Sequence, residues 1–325
     1  MVRIGFVLIA TLWLAGNLYA SEFRQALDRA DRILSTEWCA APETVVDAAD
    51  PASSLESQEK HRASTAVDTT LECLFFRYRV DELSVAGFVV SPAMPGPHPV
   101  VVFNRGGTGS FGKVDAAFLT GLPSELARAG FLVIGSQYRG GTDAPASLEG
   151  RDEWGGGDVG DVLALLDVID SLESADAGQI GMLGGSRGSV NMFMAARQTR
   201  RLDALVSISG VYDLIHEGRF RPQMERVWKR HMNDYGIDRE TALKTRSVVY
   251  WTEELDIEAP ILILHGAFDE RASAAGALSF ASRLQELYRN YKFVMFDRDN
   301  HFLIRNTDEA NALIIDWFKK HLTAD

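Results

Sequence analysis

A short apolar run, Gln179 to Leu183, leads straight into Gly184-Gly185-Ser186-Arg187-Gly188 and then into a helical stretch, Val190 to Gln198. Few folds accommodate a strand, a glycine-bracketed serine and a helix in that order. The pattern Gly184-x-Ser186-x-Gly188 puts the serine on a sharp turn, where a neighbour bearing a Cβ would crowd the backbone. Such a turn lifts the hydroxyl clear of a sheet edge. It also aims the unpaired N–H groups of the next helix at whatever the hydroxyl attacks. Taken alone, the motif reads equally well as a glycine-rich turn between two core elements, so its meaning depends on partners elsewhere in the chain.

The flanking pattern predicts a sheet. Leu71 to Val80 and Leu83 to Ser91 read as strands joined at Asp81-Glu82, a hairpin. His98 to Asn104 and Phe131 to Gln137 read as buried strands with a helix, Ala116 to Ala129, between them. Asp158 to Leu172 has helical spacing, with Asp158 as its N-cap. After the elbow come strand Ala204 to Ser209, strand Pro260 to His265, helix Gly276 to Arg289, strand Lys292 to Phe296 and helix Ala310 to His321. This alternation predicts an α/β domain over 75–325, with a mostly parallel twisted sheet of about eight strands and helices on both faces. Tyr212 to Leu255 interrupts it with a charged, aromatic stretch that includes Arg219, Phe220, Trp228, His231 and Tyr235. The excursion over 212–255 falls where a helical cap would cover the carboxyl edge of the sheet.

Residues 1–20 read as a secretory signal: Arg3 supplies the positive region, Ile4 to Leu14 the apolar run, and cleavage is expected after Ala20. The run is short for a membrane span and Asn17 interrupts it, which argues against an anchor helix. A secreted or periplasmic protein with no stable membrane partner is expected. Residues 21–74 read as a small N-terminal extension packed on the main domain, with helical spacing over Glu22 to Thr36. The two cysteines, Cys39 and Cys73, either bridge or sit apart as buried thiols, and their spacing does not decide between these. They do not have metal-site spacing, and no metal or cofactor is expected. The net charge of −12 argues against nucleic acid or an anionic membrane surface as a partner.

A nucleophilic serine needs a base to take its proton and a carboxylate to hold that base in the right tautomer. In a strand–elbow–helix context they follow in the order serine, acid, histidine. The expected acid is Asp269, in the loop after the strand ending at His265; the expected base is His301, in Asp297-Arg298-Asp299-Asn300-His301 after the next strand. Asp297 and Asp299 compete for the acid role but adjoin His301 and more naturally shape its loop, and Glu270 is a weaker rival. His265 reads as a structural histidine at a strand end. The oxyanion is expected to meet the backbone N–H of Arg187 and a donor from Asn104-Arg105-Gly106-Gly107-Thr108-Gly109, at Arg105 or Gly106.

These blocks, with Tyr138-Arg139-Gly140-Gly141, Trp154-Gly155-Gly156-Gly157-Asp158 and Ser209-Gly210-Val211-Tyr212-Asp213, resemble the catalytic domain of the prolyl oligopeptidase family. That group has the α/β-hydrolase fold and overlaps dienelactone-hydrolase-like esterases. The resemblance runs over roughly residues 75–322 and implies the triad Ser186, Asp269 and His301. Arg187 stands where relatives often carry an aromatic residue, and Phe302 where glycine is common. About fifty residues before the domain cannot build the several four-stranded blades of the family's propeller, so its size filter is not expected here. The implied activity is cleavage of peptide bonds in short peptides through an acyl-enzyme, with carboxyl ester hydrolysis as the alternative. A binding protein that kept only the fold would lack a triad member, and none is missing. Arg105 is expected either to pair with an acid such as Glu153 or Asp158, or to face the cleft as a cation.

Overall fold

The computed structural model describes residues 23–39, 68, 70–255 and 258–322. The leader expected over 1–20 and most of the N-terminal extension lie outside the described residues. Among the described residues nine strands form one sheet: β1 (Ile33–Trp38), β2 (Leu71–Val80), β3 (Leu83–Pro92), β4 (His98–Asn104), β5 (Leu132–Ser136), β6 (Ala175–Gly185), β7 (Ala204–Ile208), β8 (Ile261–Gly266) and β9 (Tyr291–Phe296). Their spatial order is β1-β2-β3-β5-β4-β6-β7-β8-β9. The pairs from β1 to β5 across β2 and β3 are antiparallel, and every pair from β5 through β9 is parallel.

The central parallel strands are covered on both faces, which is why they read as unbroken apolar runs such as Val100-Val101-Val102-Phe103 and Ile261-Leu262-Ile263-Leu264. Alternate residues feed two core layers. Val100, Val102, Ile180 and Ile263 pack with Leu165, Phe193 and Phe280 from helices Asp158–Asp170, Gly188–Ala196 and Ala274–Glu286. Val101, Leu183, Val206 and Leu264 pack on the other side with Leu126 and Phe318 from helices Leu122–Arg128 and Thr307–Leu322.

Three local expectations change. The helix expected over 116–129 is two helices, Ala116–Leu119 and Leu122–Arg128, because Pro123 lacks the N–H that continuing the first one would need. Asp158 is not an N-cap: Gly157 holds that position, and the Asp158 carboxylate instead accepts from the N–H groups of Gly155 and Gly156. The helix expected to reach Thr36 covers only 23–29, and Ile33–Trp38 becomes an edge strand antiparallel to β2. Backbone pairing with the open edge of β2 outweighs the helical spacing, and Leu34 is left largely exposed. The sheet therefore runs through the boundary expected at residue 74.

Cys39 and Cys73 are disulfide-bonded with their Cα atoms 5.3 Å apart, across 34 residues of sequence, and stitch the end of β1 to β2. Closing a loop of that length removes denatured-state entropy worth roughly 3–4 kcal/mol. The double variant Cys39→Ser/Cys73→Ser should lose about that much in urea unfolding, and an unchanged midpoint would show that the bridge adds nothing to stability.

Two features of the topology prepare a site. Strand β4 leads to β5 on one side and its neighbour β6 leads to β7 on the other, so the chain leaves these two adjacent carboxyl ends in opposite directions and opens a crevice there. Between β7 and β8 the chain makes an excursion of three helices, Leu214–Phe220, Met224–His231 and Arg239–Thr245, each of the outer two capped by an aspartate, Asp213 and Asp238. The excursion has its own core. Leu214, Trp228, Met232 and Leu243 pack against Trp154 and against Val190 of the elbow helix. Among the described residues no helix is long and apolar enough to cross a membrane.

Candidate active site

Ser186 follows β6 with φ of +54°, a left-handed conformation that costs a side-chain-bearing residue about 1–3 kcal/mol. Its own N–H is fixed on the carbonyl of Ile208 at 2.8 Å. The glycines on either side answer a packing demand. A Cβ on Gly184 would lie 2.7 Å from the Gly188 carbonyl oxygen, and one on Gly188 would lie 2.0 Å from that of Asn104. The start of the elbow helix therefore presses directly on the end of β4, and no larger residue fits.

Asp269 lies in the loop after β8 and His301 in the loop after β9, and the structure joins them through His301 Nδ1 and Asp269 Oδ2 at 2.8 Å. The other carboxylate oxygen accepts the N–H groups of Arg271 and Ala272 at 2.7 and 2.9 Å. Burial alone would push the Asp269 carboxyl up, but the bond to His301 and the two backbone donors outweigh it and hold the group below the ordinary carboxylate value. An ionised Asp269 can only accept, so the shared proton belongs on Nδ1 and Nε2 is left as a base. The rival acids do other work. Asp299 accepts from the N–H groups of Arg305 and Asn306 and from the Asn306 amide, which shapes the histidine loop. Asp297 lies beside the exposed Arg298, and Glu270 is exposed.

Two groups stand behind the acid, His265, read from the sequence as structural, and Glu217, which was not singled out. Buried His265 places Nε2 3.3 Å from Asp269 Oδ2 while contacting the Ala272 carbonyl at 3.1 Å; its place four residues before Asp269 was the available signal. Buried Glu217, from the excursion, accepts the Ser273 N–H at 3.0 Å, and burial pushes its carboxyl up to about 7. Nothing in the local sequence marks Glu217.

The loop after β4 lies against the nucleophile: a Cβ on Gly106 would sit 3.2 Å from Ser186 Cβ. Among the described residues the backbone N–H groups of Gly106 and Arg187 have no acceptor. The Arg105 side chain is neither paired with an acid nor turned to the cleft. Its donors go to the carbonyls of Gln137, Gly106, Phe111 and Gly109, which occupies all five N–H groups of the guanidinium and ties the loop to the end of β5. The pairing expected for Arg105 belongs to Arg187. Buried Arg187 donates to both oxygens of Asp152 at 2.6 and 2.7 Å, to Asp158 at 2.5 Å and to the Gly107 carbonyl at 3.1 Å. Asp152 in turn accepts the Gly109 N–H at 2.6 Å. The residue after the serine is thus the post to which the glycine loop is fastened.

The loops after β4, β8 and β9 converge at Arg271, whose guanidinium lies 5.9 Å from the Phe111 ring centroid and 5.3 Å from that of Phe302. Asp269 and His301 are joined, whereas Ser186 Oγ makes no hydrogen bond among the described residues. That last bond is commonly long in free enzymes and closes with substrate. A hydroxyl on a strained turn, an imidazole oriented by an ionised carboxylate and two unpaired N–H groups form a set suited to acyl transfer.

Comparison with known proteins gives a family and a fold. The family model described as the prolyl oligopeptidase family matches residues 121–325. The uncharacterized peptidase YtmA of Bacillus subtilis (strain 168) is 26% identical over 230 residues, which are 69% of this chain and 84% of that one. A puromycin-hydrolyzing peptidase from Mycobacterium tuberculosis superposes with a TM-score of 0.65 at 21% identity, covering 77% of this chain and 39% of that one. The acylaminoacyl peptidase of Pyrococcus horikoshii gives a TM-score of 0.65 at 21% identity, covering 79% of this chain and 42% of that one. The chain thus spans about two fifths of each of these two solved structures.

Proposed function

The chain belongs to the prolyl oligopeptidase family of serine hydrolases, and on that premise we propose that it cleaves peptide bonds of short peptides through an acyl-enzyme on Ser186. The observation that carries the reading is the His301–Asp269 bond in loops that converge with the Ser186 elbow. In the proposed cycle Ser186 Oγ attacks the scissile carbonyl carbon and its proton passes to His301 Nε2. The oxyanion is held by the N–H groups of Arg187 and Gly106. Collapse breaks the C–N bond, the amine leaves with the proton from His301, and water repeats the sequence to release the acid. Asp269 keeps the imidazole in its tautomer and offsets the charge of the imidazolium.

Peptides are favoured over esters because the similar proteins named above are peptidases. The helical excursion is proposed to limit entry to small substrates. Its buried Trp228 and Leu214 share a core with the elbow helix, so it acts as a fixed wall rather than a detachable lid. The disulfide supports an oxidising compartment, secreted or periplasmic, for the chain. Profiling on matched libraries of short peptides and carboxyl esters tests the substrate class. Cleavage of peptides up to a few residues long, with folded proteins left intact, is the expected result. Turnover of esters with no peptide cleaved would move the reading to an esterase.

A further inference from the structure

A cavity of about 390 Å³ lies between the β1-β2-β3 end of the sheet and the loop after β4. It shares no lining residue with the triad or with the two oxyanion donors, and it is large enough for a small-molecule ligand. The strand register explains its floor. Phe75 and Arg77 are alternate residues of β2, and their partners Glu37 and Ser35 on β1 and Ala86 on β3 stand on the same face. Ala86, opposite Arg77, is too small to fill the space, and Phe75 is left half-buried. Val114 forms part of the wall. Its backbone N–H and carbonyl are held by the two ends of the Gln137 amide at 3.0 and 2.6 Å, so the wall is fixed.

The charged groups that line the cavity are two cations, Arg77 and Lys113, and two carboxylates, Glu37 and Asp115. Equal numbers of each sign disfavour a simple anion or cation and match a zwitterion. Arg77 is the anchored member. It donates from Nε to Ser84 Oγ at 2.9 Å, and from Nη2 to the Ser84 carbonyl at 2.6 Å and to the buried Glu149 carboxylate at 2.9 Å. Its Nη1 has no acceptor among the described residues. A fixed guanidinium with a donor to spare suits a carboxylate. Glu37 is exposed and makes no ion pair among the described residues. It pairs with Phe75, two positions from Arg77, so the two charged residues are diagonal neighbours about 7–8 Å apart. Two or three extended residues at about 3.5 Å each cover that span and the reach of the side chains. We propose that this cavity is a peptide-binding site separate from the catalytic one. It holds a free dipeptide or tripeptide, with the C-terminal carboxylate on Arg77, the ammonium on Glu37 and a side chain against Phe75. The assignment does not depend on the serine-hydrolase reading.

The test is calorimetric titration of the full chain carrying Ser186→Ala, which leaves the ligand uncleaved. The probe is alanyl-phenylalanine as the free dipeptide, as its C-terminal amide and as its N-acetyl form. The free dipeptide should bind saturably. The amide should bind about tenfold to a hundredfold more weakly, since it loses a charge-assisted bond to a partly buried guanidinium. The N-acetyl form should bind about two- to fivefold more weakly, a smaller loss because Glu37 is exposed. Ala86→Leu fills the floor, leaves the Arg77–Glu149 pair intact and should weaken binding about tenfold or more. In Glu37→Gln the free and acetylated forms should bind within about twofold of each other. No saturable binding at millimolar dipeptide overturns the proposal. So does binding that Ala86→Leu and Glu37→Gln both leave unchanged, which would put the ligand in the catalytic cleft. A loss on blocking one terminus alone also overturns it, because the ligand would then be recognised as a simple ion. Glu37 is exposed, so its variant keeps the test standing if Ala86→Leu does not fold.

Discussion

His301→Ala is expected to lower kcat by about four to six orders of magnitude while leaving secondary structure and thermal stability close to those of the unaltered protein. Ser186→Ala should cost about as much, because the members of such a unit do not contribute independently. The reasoning is geometric. Nε2 of His301 is a base whose tautomer is set by a buried, ionised carboxylate, through the 2.8 Å bond to Asp269. His265 also touches Asp269, but its Nε2 is committed to the Ala272 carbonyl and to the carboxylate, and burial pushes its proton affinity down. It therefore cannot replace His301. Steady-state kinetics of the two variants, with circular dichroism to confirm folding, check the assignment. Near-normal turnover in His301→Ala would transfer the base role elsewhere.

Arg187→Met should destabilise the protein by about 3–5 kcal/mol, since removing one side of a buried ion cluster leaves the other uncompensated. Here the abandoned groups are two carboxylates, Asp152 and Asp158, both almost fully buried. Burial would push Asp152 up; Arg187 is the chief cause that holds it below the ordinary value. Its contribution is therefore fully present above the unfolded carboxylate pKa and is lost as pH falls through the lower folded one. The deficit of the variant should accordingly be largest at neutral pH and shrink on acidification. Activity should fall as well, because Arg187 and Asp152 fasten Gly107 and Gly109 beside the expected oxyanion donors. Arg187→Lys should rescue little, since one ammonium cannot reach Asp152 twice, Asp158 and a carbonyl together. Denaturant titrations at pH 4 and 7 read the first effect and kcat the second. A loss below about 1 kcal/mol would mean the two acids find other partners, contrary to the buried-pair argument.

The sequence made the central sheet and the elbow legible because both rest on local patterns. Short unbroken apolar runs between turn residues, such as Ile261 to Leu264, match doubly covered strands, and the spacing of Gly184, Ser186 and Gly188 records one close approach of helix to strand. The positions of Asp269 and His301 followed from chain order in that same topology. What stayed hidden depends on distant residues. The edge strand Ile33–Trp38 exists because β2 offers an open edge and Cys73 a bridge, neither visible in the helical spacing of 22–36. Arg105 and Arg187 carry equal charges in two glycine-rich segments, and only the fold reveals that one faces carbonyls while the other faces carboxylates. Glu217 enters the site from an excursion whose composition marks it as helical but not as a neighbour of the acid loop.

The most direct test of the account is intact-mass spectrometry of the protein after exposure to a fluorophosphonate, followed by peptide mapping. An oxyanion site and an activated serine predict one adduct per chain, on Ser186, absent in Ser186→Ala and formed orders of magnitude more slowly in His301→Ala. No adduct, or an adduct on another residue that persists in Ser186→Ala, would contradict it.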